Sequence, residues 1–253
     1  MVCRILGLVA LAAFLFAAAP SSAACPGNPN ALGTSRVLVA DASAGLEIGT
    51  LQYADTLPLA DGELVFTFDD GPNPTHTPAV LDALDAHCVK ATFFLVGRYA
   101  RHHPELVREI HRRGHTIANH TWSHPILSEL SHTAALREIE RGEAAINAAL
   151  ADIQEARAAP FFRFPGLNHT RALRRELAEA GVAVMSCDIG TDDWRGISAD
   201  EIHRRALRNI EARGSGVIIM HDTNARTAQA LPRLLDTLAE RGYRVVHMAP
   251  AEP

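Results

Sequence analysis

The sequence has no excess of basic residues. Its 24 Lys and Arg face 29 Asp and Glu, for a formal net charge of −5. That excludes the electrostatic footprint of a nucleic-acid or anionic-membrane binder. Internal repeats, low-complexity tracts and Pro/Ser-rich linkers are also missing. One domain over 62–250, preceded by an N-terminal extension over 25–61, is the simplest organisation. Long apolar runs are absent apart from Ile5 to Ala19, ILGLVALAAFLFAAA, which falls short of the roughly 20 residues of a membrane span. Arg4 precedes it, Pro20 ends it, and Ser22 and Ala24 supply small residues for cleavage after Ala24. Residues 1–24 therefore read as a secretory signal peptide, with a secreted or periplasmic destination and no integral membrane segment after cleavage.

Cysteine is scarce. Cleavage would leave Cys25, Cys88 and Cys187, an odd number that cannot all pair internally. A Cys25–Cys88 bridge with Cys187 buried and a set of three free thiols both stay open. Cys25 would also be the new N-terminus. A lipoprotein is thus a secondary reading, weakened by Ser22 standing where lipidation sites usually carry an apolar residue.

What the sequence does contain is alternation. Short apolar runs read as strands at Leu64–Phe68, Ala91–Leu95, Thr116–Ala118, Phe161–Phe164, Val182–Ser186, Val217–Met220 and Val245–Met248. Stretches of helical period lie between most of them, at Pro78–His87, Pro104–Arg113, Thr133–Leu150, Arg171–Ala180, Ala199–Ala212 and Ala228–Arg241. Gly114, Gly181 and Gly242 follow three of these as caps. Seven strands alternating with six helices imply a parallel α/β sheet, open or closed into a barrel.

The polar residues fall where such a fold keeps its chemistry. Asp69 and Asp70 follow the first strand, and Asn119, His120 and His124 the third. Arg163 lies near the end of the fourth, ahead of Pro165 and Gly166. Asp192, Asp193 and Trp194 follow the fifth, and His221 and Asp222 the sixth. Active sites of parallel barrels and open α/β sheets are built at these carboxyl ends. Spacing alone does not make a metal motif: among 13 His about one pair four apart is expected by chance. His111 and His115, in HRRGH, read as a solvated helix end. His120 and His124, in HTWSH, differ in lying at a strand's carboxyl end. If that stretch is one helical turn, both imidazoles can share a cation, with an Asp from the first strand as third ligand. Two adjacent aspartates can then divide labour: one bound to the cation, its neighbour free to accept a proton, with the cation and Arg163 relieving their repulsion.

These motifs resemble the polysaccharide deacetylase superfamily, the NodB homology domain of carbohydrate esterase family four. TFDDGP at Thr67–Pro72 and HTWSH at His120–His124 match its first two motifs. RFPG at Arg163–Gly166, DDW at Asp192–Trp194 and IMHD at Ile219–Asp222 are similar to the other three. The resemblance implies a distorted (β/α)7 barrel holding a divalent metal, usually Zn2+, with Co2+ or Ni2+ able to substitute. It implies Asp70, His120 and His124 as ligands and Asp69 as general base, oriented and held ionised by Arg163. His221 would be the general acid with Asp193 as its partner. Pro165, Gly166, Trp194 and Ile219 would line the substrate pocket. The family commonly has an aromatic residue where Gly166 stands, and an earlier Asp where Gly190 stands; the backbone N–H at Gly166 is kept, a side chain flanking the sugar is not.

The function these residues imply is metal-dependent removal of N-acetyl groups from N-acetylglucosamine units of a polysaccharide or oligosaccharide, chitooligosaccharide or peptidoglycan. An O-acetyl esterase on a polysaccharide such as xylan would use the same groups with less need of His221. A catalytically silent sugar-binding protein would not need base, ligands and acid together. Oligomeric state is not legible in the sequence.

Overall fold

The computed structural model describes residues 25–251; the leader expected over 1–24 lies outside them. The chain runs β1 (Thr34–Ala40), β2 (Glu47–Ile48), β3 (Glu63–Asp69), α1 (Thr77–Ala86), β4 (Thr92–Leu95), α2 (Gly97–His102), α3 (Pro104–Arg112), β5 (Thr116–Asn119), α4 (His132–Leu150), β6 (Phe161–Phe162), α5 (Arg171–Glu179), β7 (Ala183–Met185), β8 (Ile189–Gly190), α6 (Ala199–Arg213), β9 (Gly216–His221), α7 (Ala225–Glu240) and β10 (Arg244–Pro250).

Every strand pairing is parallel. From β3 the sheet runs through β4, β5 and β6 to β7. On its other side β3 pairs with β9, and β9 with β8. The sheet thus curls back on itself as a distorted barrel with a seam between β7 and β8. Strand β2 takes the free edge of β7 there. Asp188 closes the seam: it accepts from Thr50 N–H (2.8 Å), the Thr50 and Thr56 hydroxyls (2.7 and 2.5 Å) and Val217 N–H (2.9 Å).

All seven residues of β3 are buried, as parallel strands covered on both faces are. Leu64, Phe66 and Phe68 point outward into the layer of α1, α6 and α7, against Leu84, Ile202 and Leu234. Val65 faces inward with Phe94, Ala118, Met185 and Val217. Period two then puts Thr67 and Asp69 on the same inward face. The outer layer supplies the larger apolar core, and the inner face ends in polar groups at its carboxyl end.

The stretch 25–61 is more than a preface. Strand β1 pairs with β10, and β2 with β7, so it belongs to the same sheet. Cys25 is bonded to Cys88, which ties the stretch to the end of α1; Cys187 is free and buried. Helix α2 and strand β8 also go beyond the sequence reading. No helix among the described residues is long and apolar enough to cross a membrane.

His115 corrects the solvated reading of HRRGH. It is only 4% exposed, its ring packs edge-on to Phe93 at 5.2 Å, and its Nδ1 accepts from Ala91 N–H at 3.1 Å. The chain has left α3 at Gly114 and is already entering β5, so the residue faces the core. Burial, assisted by Lys90, pushes its pKa down to about 3. His247 on β10, with Nε2 3.0 Å from the Thr116 hydroxyl, is pushed down to about 4 by burial and then Lys90. Both folded values lie below the ordinary histidine value, so on acidification the unfolded chain takes up protons that the native state refuses. Their stabilisation is full above about pH 6.5 and is lost as pH falls toward 4, at up to about 1.4 kcal/mol per pH unit for each group. Denaturant midpoints of metal-free protein at pH 7 and pH 5 should show this loss, with a shallower slope in His115→Gln. An identical slope in the variant would contradict the assignment.

Candidate active site

Asp69 ends β3, and the register sets it beside His221 of β9 on one side and Phe94 of β4 on the other. Asp70 then takes a left-handed backbone (φ 76°). For a non-glycine residue this is uncommon, and such strain persists only where surrounding structure imposes it. The two neighbouring carboxylates consequently leave the chain in different directions.

Asp69 is 2% exposed and Arg163, just past β6, is fully buried. Arg163 Nη1 donates to Asp69 Oδ1 at 2.6 Å and to the Thr67 hydroxyl at 2.8 Å. Nε donates to Met185 O (3.2 Å) and Nη2 to Ser186 O (2.8 Å). The guanidinium lies 4.1 Å over the Phe94 ring. With its charge met by Asp69 and its donors by strand-end carbonyls, Arg163 satisfies the terms on which an ion can be buried. Only Asp69 Oδ2 is left facing the neighbouring histidines, 3.9 Å from His120 Nε2.

His120 continues β5, its N–H donating to Leu95 O at 2.9 Å. Its Nδ1 lies 2.7 Å from Arg163 O. A carbonyl can only accept, so Nδ1 carries the proton and Nε2 presents a lone pair. His124 Nε2 is 3.2 Å, and His120 Nε2 3.5 Å, from Asp70 Oδ1. The stretch 120–124 is a loop and not a helical turn: Thr121 and His124 both have positive φ, 69° and 64°. Thr121 N–H donates to Asn119 Oδ1 (3.0 Å), His124 N–H to the Thr121 hydroxyl (3.0 Å) and Ser123 N–H to Glu138 of α4 (2.8 Å). The rings meet by loop geometry, with centroids 4.9 Å apart.

Asp70, His120 and His124 bring one carboxylate oxygen and two ring nitrogens within 4.8 Å of one another. Asp70 Oδ1 is buried and accepts no hydrogen bond. A buried acceptor left open beside two imidazole nitrogens fits a divalent cation. Burial works against the Asp70 charge, but His120, His221 and His124 outweigh it and hold the carboxyl well below its usual range. Burial, then His120, lowers the pKa of His124, which favours the neutral form that binds metal.

His221 faces this group from β9. Its Nδ1 is 2.8 Å from Asp193 Oδ1. Burial alone would lower its pKa; the Asp193 hydrogen bond and charge, then Asp69 and Asp70, reverse this and raise it to about 9. A cation on Asp70 would offset part of that rise. Asp193, 1% exposed, accepts from the Thr227 hydroxyl and His221 N–H (both 2.7 Å) and the Thr191 hydroxyl (3.1 Å). Asp192 instead turns outward (φ 60°) to Arg205 at 2.8 Å, so only one of the adjacent pair reaches the histidine. Sequence reasoning gave Thr67, inside TFDDGP, no role of its own, and it missed Thr191 and Thr227, because single threonines outside a motif carry no signal. It noted Asp222 without a role; that carboxyl is fully buried, bonded to the Thr77 hydroxyl at 2.5 Å, and pushed up to about 7 by burial.

Of the expected pocket residues, Ile219 shares the inward face of β9 two residues before His221, and Pro165 is buried just past Arg163. Gly166 is left-handed (φ 59°), and a Cβ there would meet Ile126 at 3.0 Å. Ile126 thus fills part of the space that a larger residue would need. Trp194 is 66% exposed, with the Arg195 guanidinium 4.7 Å over its ring, and stands at the rim.

A nucleophile-activating carboxylate, a cation cradle and an opposing imidazole, gathered at the carboxyl ends of a parallel sheet, define a hydrolase. The chain belongs to the polysaccharide deacetylase family, whose model matches residues 57–185. It is 35% identical over 199 residues to a peptidoglycan-N-acetylglucosamine deacetylase of Bacillus cereus, covering 77% of this chain and 70% of that one. It is 35% identical over 211 residues to a chitooligosaccharide deacetylase of Sinorhizobium fredii, covering 76% and 94%. Among solved structures it resembles a peptidoglycan deacetylase of Bdellovibrio bacteriovorus, with a TM-score of 0.77 and 31% identity, over 86% of this chain and 59% of that one.

Gly142 in α4 is a further residue the sequence did not flag. A Cβ there would lie 2.5 Å from Asn119 Oδ1 and from the Thr121 backbone, and a Cβ on Gly97 of α2 would lie 2.7 Å from Gly142. In an ordinary helix interior Gly→Ala stabilises by up to about 1 kcal/mol. Here Gly142→Ala should instead destabilise by about 1–3 kcal/mol and weaken zinc binding about tenfold or more, read by chelator competition. Unchanged zinc affinity with a raised melting temperature would show that α4 does not set the His120–His124 loop.

Proposed function

We propose that the protein is a metal-dependent N-deacetylase acting on N-acetylglucosamine units of an oligosaccharide or polysaccharide. The observation that carries this reading is the division of the aspartate pair. Asp69 has one oxygen committed to Arg163 and the other turned toward the cradle, while Asp70 offers its oxygen to the two imidazoles. A divalent cation bound to Asp70, His120 and His124 would supply the Lewis acidity that activates an acetamide carbonyl and acidifies a water.

The chain's own groups do the rest. Asp69 takes the attacking water's proton at Oδ2, since Oδ1 is held by Arg163. His221 keeps its Nδ1 proton on Asp193 and directs Nε2 toward the site. From there it protonates the departing nitrogen, without which an amine is a very poor leaving group. The N–H of Gly166, on the turn after Arg163, would be the backbone donor to the developing oxyanion. Ile219 and Pro165 present apolar surface to the acetyl methyl.

The names of the Bacillus and Sinorhizobium relatives support N-acetylglucosamine in peptidoglycan or chitooligosaccharide as the substrate class. An oxidising compartment outside the cytoplasm is supported by the Cys25–Cys88 bridge and the leader pattern of residues 1–24.

Acetate release from N-acetylglucosamine oligomers and from peptidoglycan strands, with chelator and with zinc restored, tests the reading. Release should stop with chelator and return with zinc. His221→Ala should lower amide cleavage by about 10²–10⁴-fold while sparing an activated acetate ester, whose leaving group needs no proton. Equal losses on amide and ester would overturn the acid role. Release of O-linked acetate alone would favour an esterase.

A further inference from the structure

Beside the metal cradle a groove of about 310 Å³ opens between the turn after β3 and helix α2. It begins at Asp70 and His124 and continues past Asn73 to Arg98, Tyr99 and His103. Arg98 Nη2 donates to the Tyr99 hydroxyl at 2.7 Å, and its guanidinium lies 4.6 Å over the Tyr99 ring. Nε is buried without a hydrogen-bond partner. No carboxylate of the described residues lies within 4 Å of this guanidinium, whereas Arg195 and Arg205, after β8 and on α6, are both paired with Asp192. His103, also on the groove, is paired with Glu105 at 3.4 Å, and His124 belongs to the cradle, so Arg98 is the groove's fixed positive charge; its one lining acid, Asp70, faces the imidazoles.

The position of Arg98 is tied to the cradle by backbone. Gly97 N–H donates to Thr121 O at 2.8 Å and Arg98 N–H to Trp122 O at 2.9 Å, so the start of α2 rides on the loop that carries His120 and His124. A cation's charge would make the groove more positive still. A partly buried, prepositioned guanidinium without an acid is matched by a carboxylate, which it can engage with charge-assisted hydrogen bonds.

We infer that this groove is an acidic-sugar subsite, in which Arg98 receives a carboxylate carried by the sugar next to the one being deacetylated. A glycan bearing free carboxylates on alternate sugars, as peptidoglycan strands do on muramic acid units whose stem peptides have been removed, is the substrate class it selects over neutral chitooligosaccharide. Arg98 is then a specificity residue and takes no part in the chemistry. The inference rests on the deacetylase reading of the neighbouring site.

The test compares zinc-loaded protein on acidic glycan strands and on the same strands with their carboxylates reduced to alcohols. The wild type should prefer the acidic strand about tenfold in kcat/KM, mainly through KM, as one charge-assisted contact allows. The preference should shrink as salt is raised. Arg98→Gln should bring the ratio close to one, and Arg98→Lys should restore part of it. A ratio that Arg98→Gln leaves unchanged, or equal wild-type rates on the two strands, would overturn the subsite. If no strand and no neutral oligomer releases acetate, the deacetylase reading has failed, and equilibrium binding of the two strands decides the subsite separately. An Arg98-dependent preference for the acidic strand supports it, and equal affinities sink it.

Discussion

The site depends on one buried ion pair. Arg163 is wholly out of water and collects Asp69, the Thr67 hydroxyl and the carbonyls of Met185 and Ser186 around one guanidinium. Those partners belong to β3 and to the end of β7, on opposite sides of the barrel interior. Removing either member of such a pair leaves an uncompensated buried charge, which typically costs about 3–5 kcal/mol. The same pair fixes which oxygen of Asp69 is available, and the Arg163 carbonyl fixes the tautomer of His120. Structure and chemistry therefore share the residue.

Around that centre the backbone holds unfavourable conformations for functional ends. Two of the three cradle residues, Asp70 and His124, are left-handed, as is Thr121 between the histidines. The hydrogen bonds of Asn119, Thr121 and Glu138, with Gly97 and Gly142 in close approach, hold this loop in place. The loop in turn carries the start of α2. The cation site, the groove beside it and the packing of α2 on α4 thus form one mechanical unit.

Much of this was legible in the sequence, for a physical reason. Parallel strands covered on both faces must be apolar throughout, so β3, β4 and β9 stand out as runs, and the fold places their carboxyl ends together. Carboxylates, imidazoles and an arginine are costly to bury at those ends unless they meet one another in a shared site. What stayed hidden depends on contacts between distant segments. Strand β1 pairs with β10 some two hundred residues away, and α2 is too short to show a period. His115 is buried by Phe93, which its arginine-rich neighbours do not reveal. HTWSH works as a loop because Asn119 and Glu138 hold it. Gly142 looks like an ordinary helix defect until α2 and the histidine loop are seen against it.

Two adjacent aspartates have separate duties, and zinc affinity measured in parallel with acetate release separates them. Asp69→Asn should bind zinc within a few-fold of wild type and yet release almost no acetate, while Asp70→Asn should lose zinc by several orders of magnitude. Equal zinc losses in the two variants, or substantial turnover by Asp69→Asn, would mean that the two carboxylates do not divide base and ligand between them.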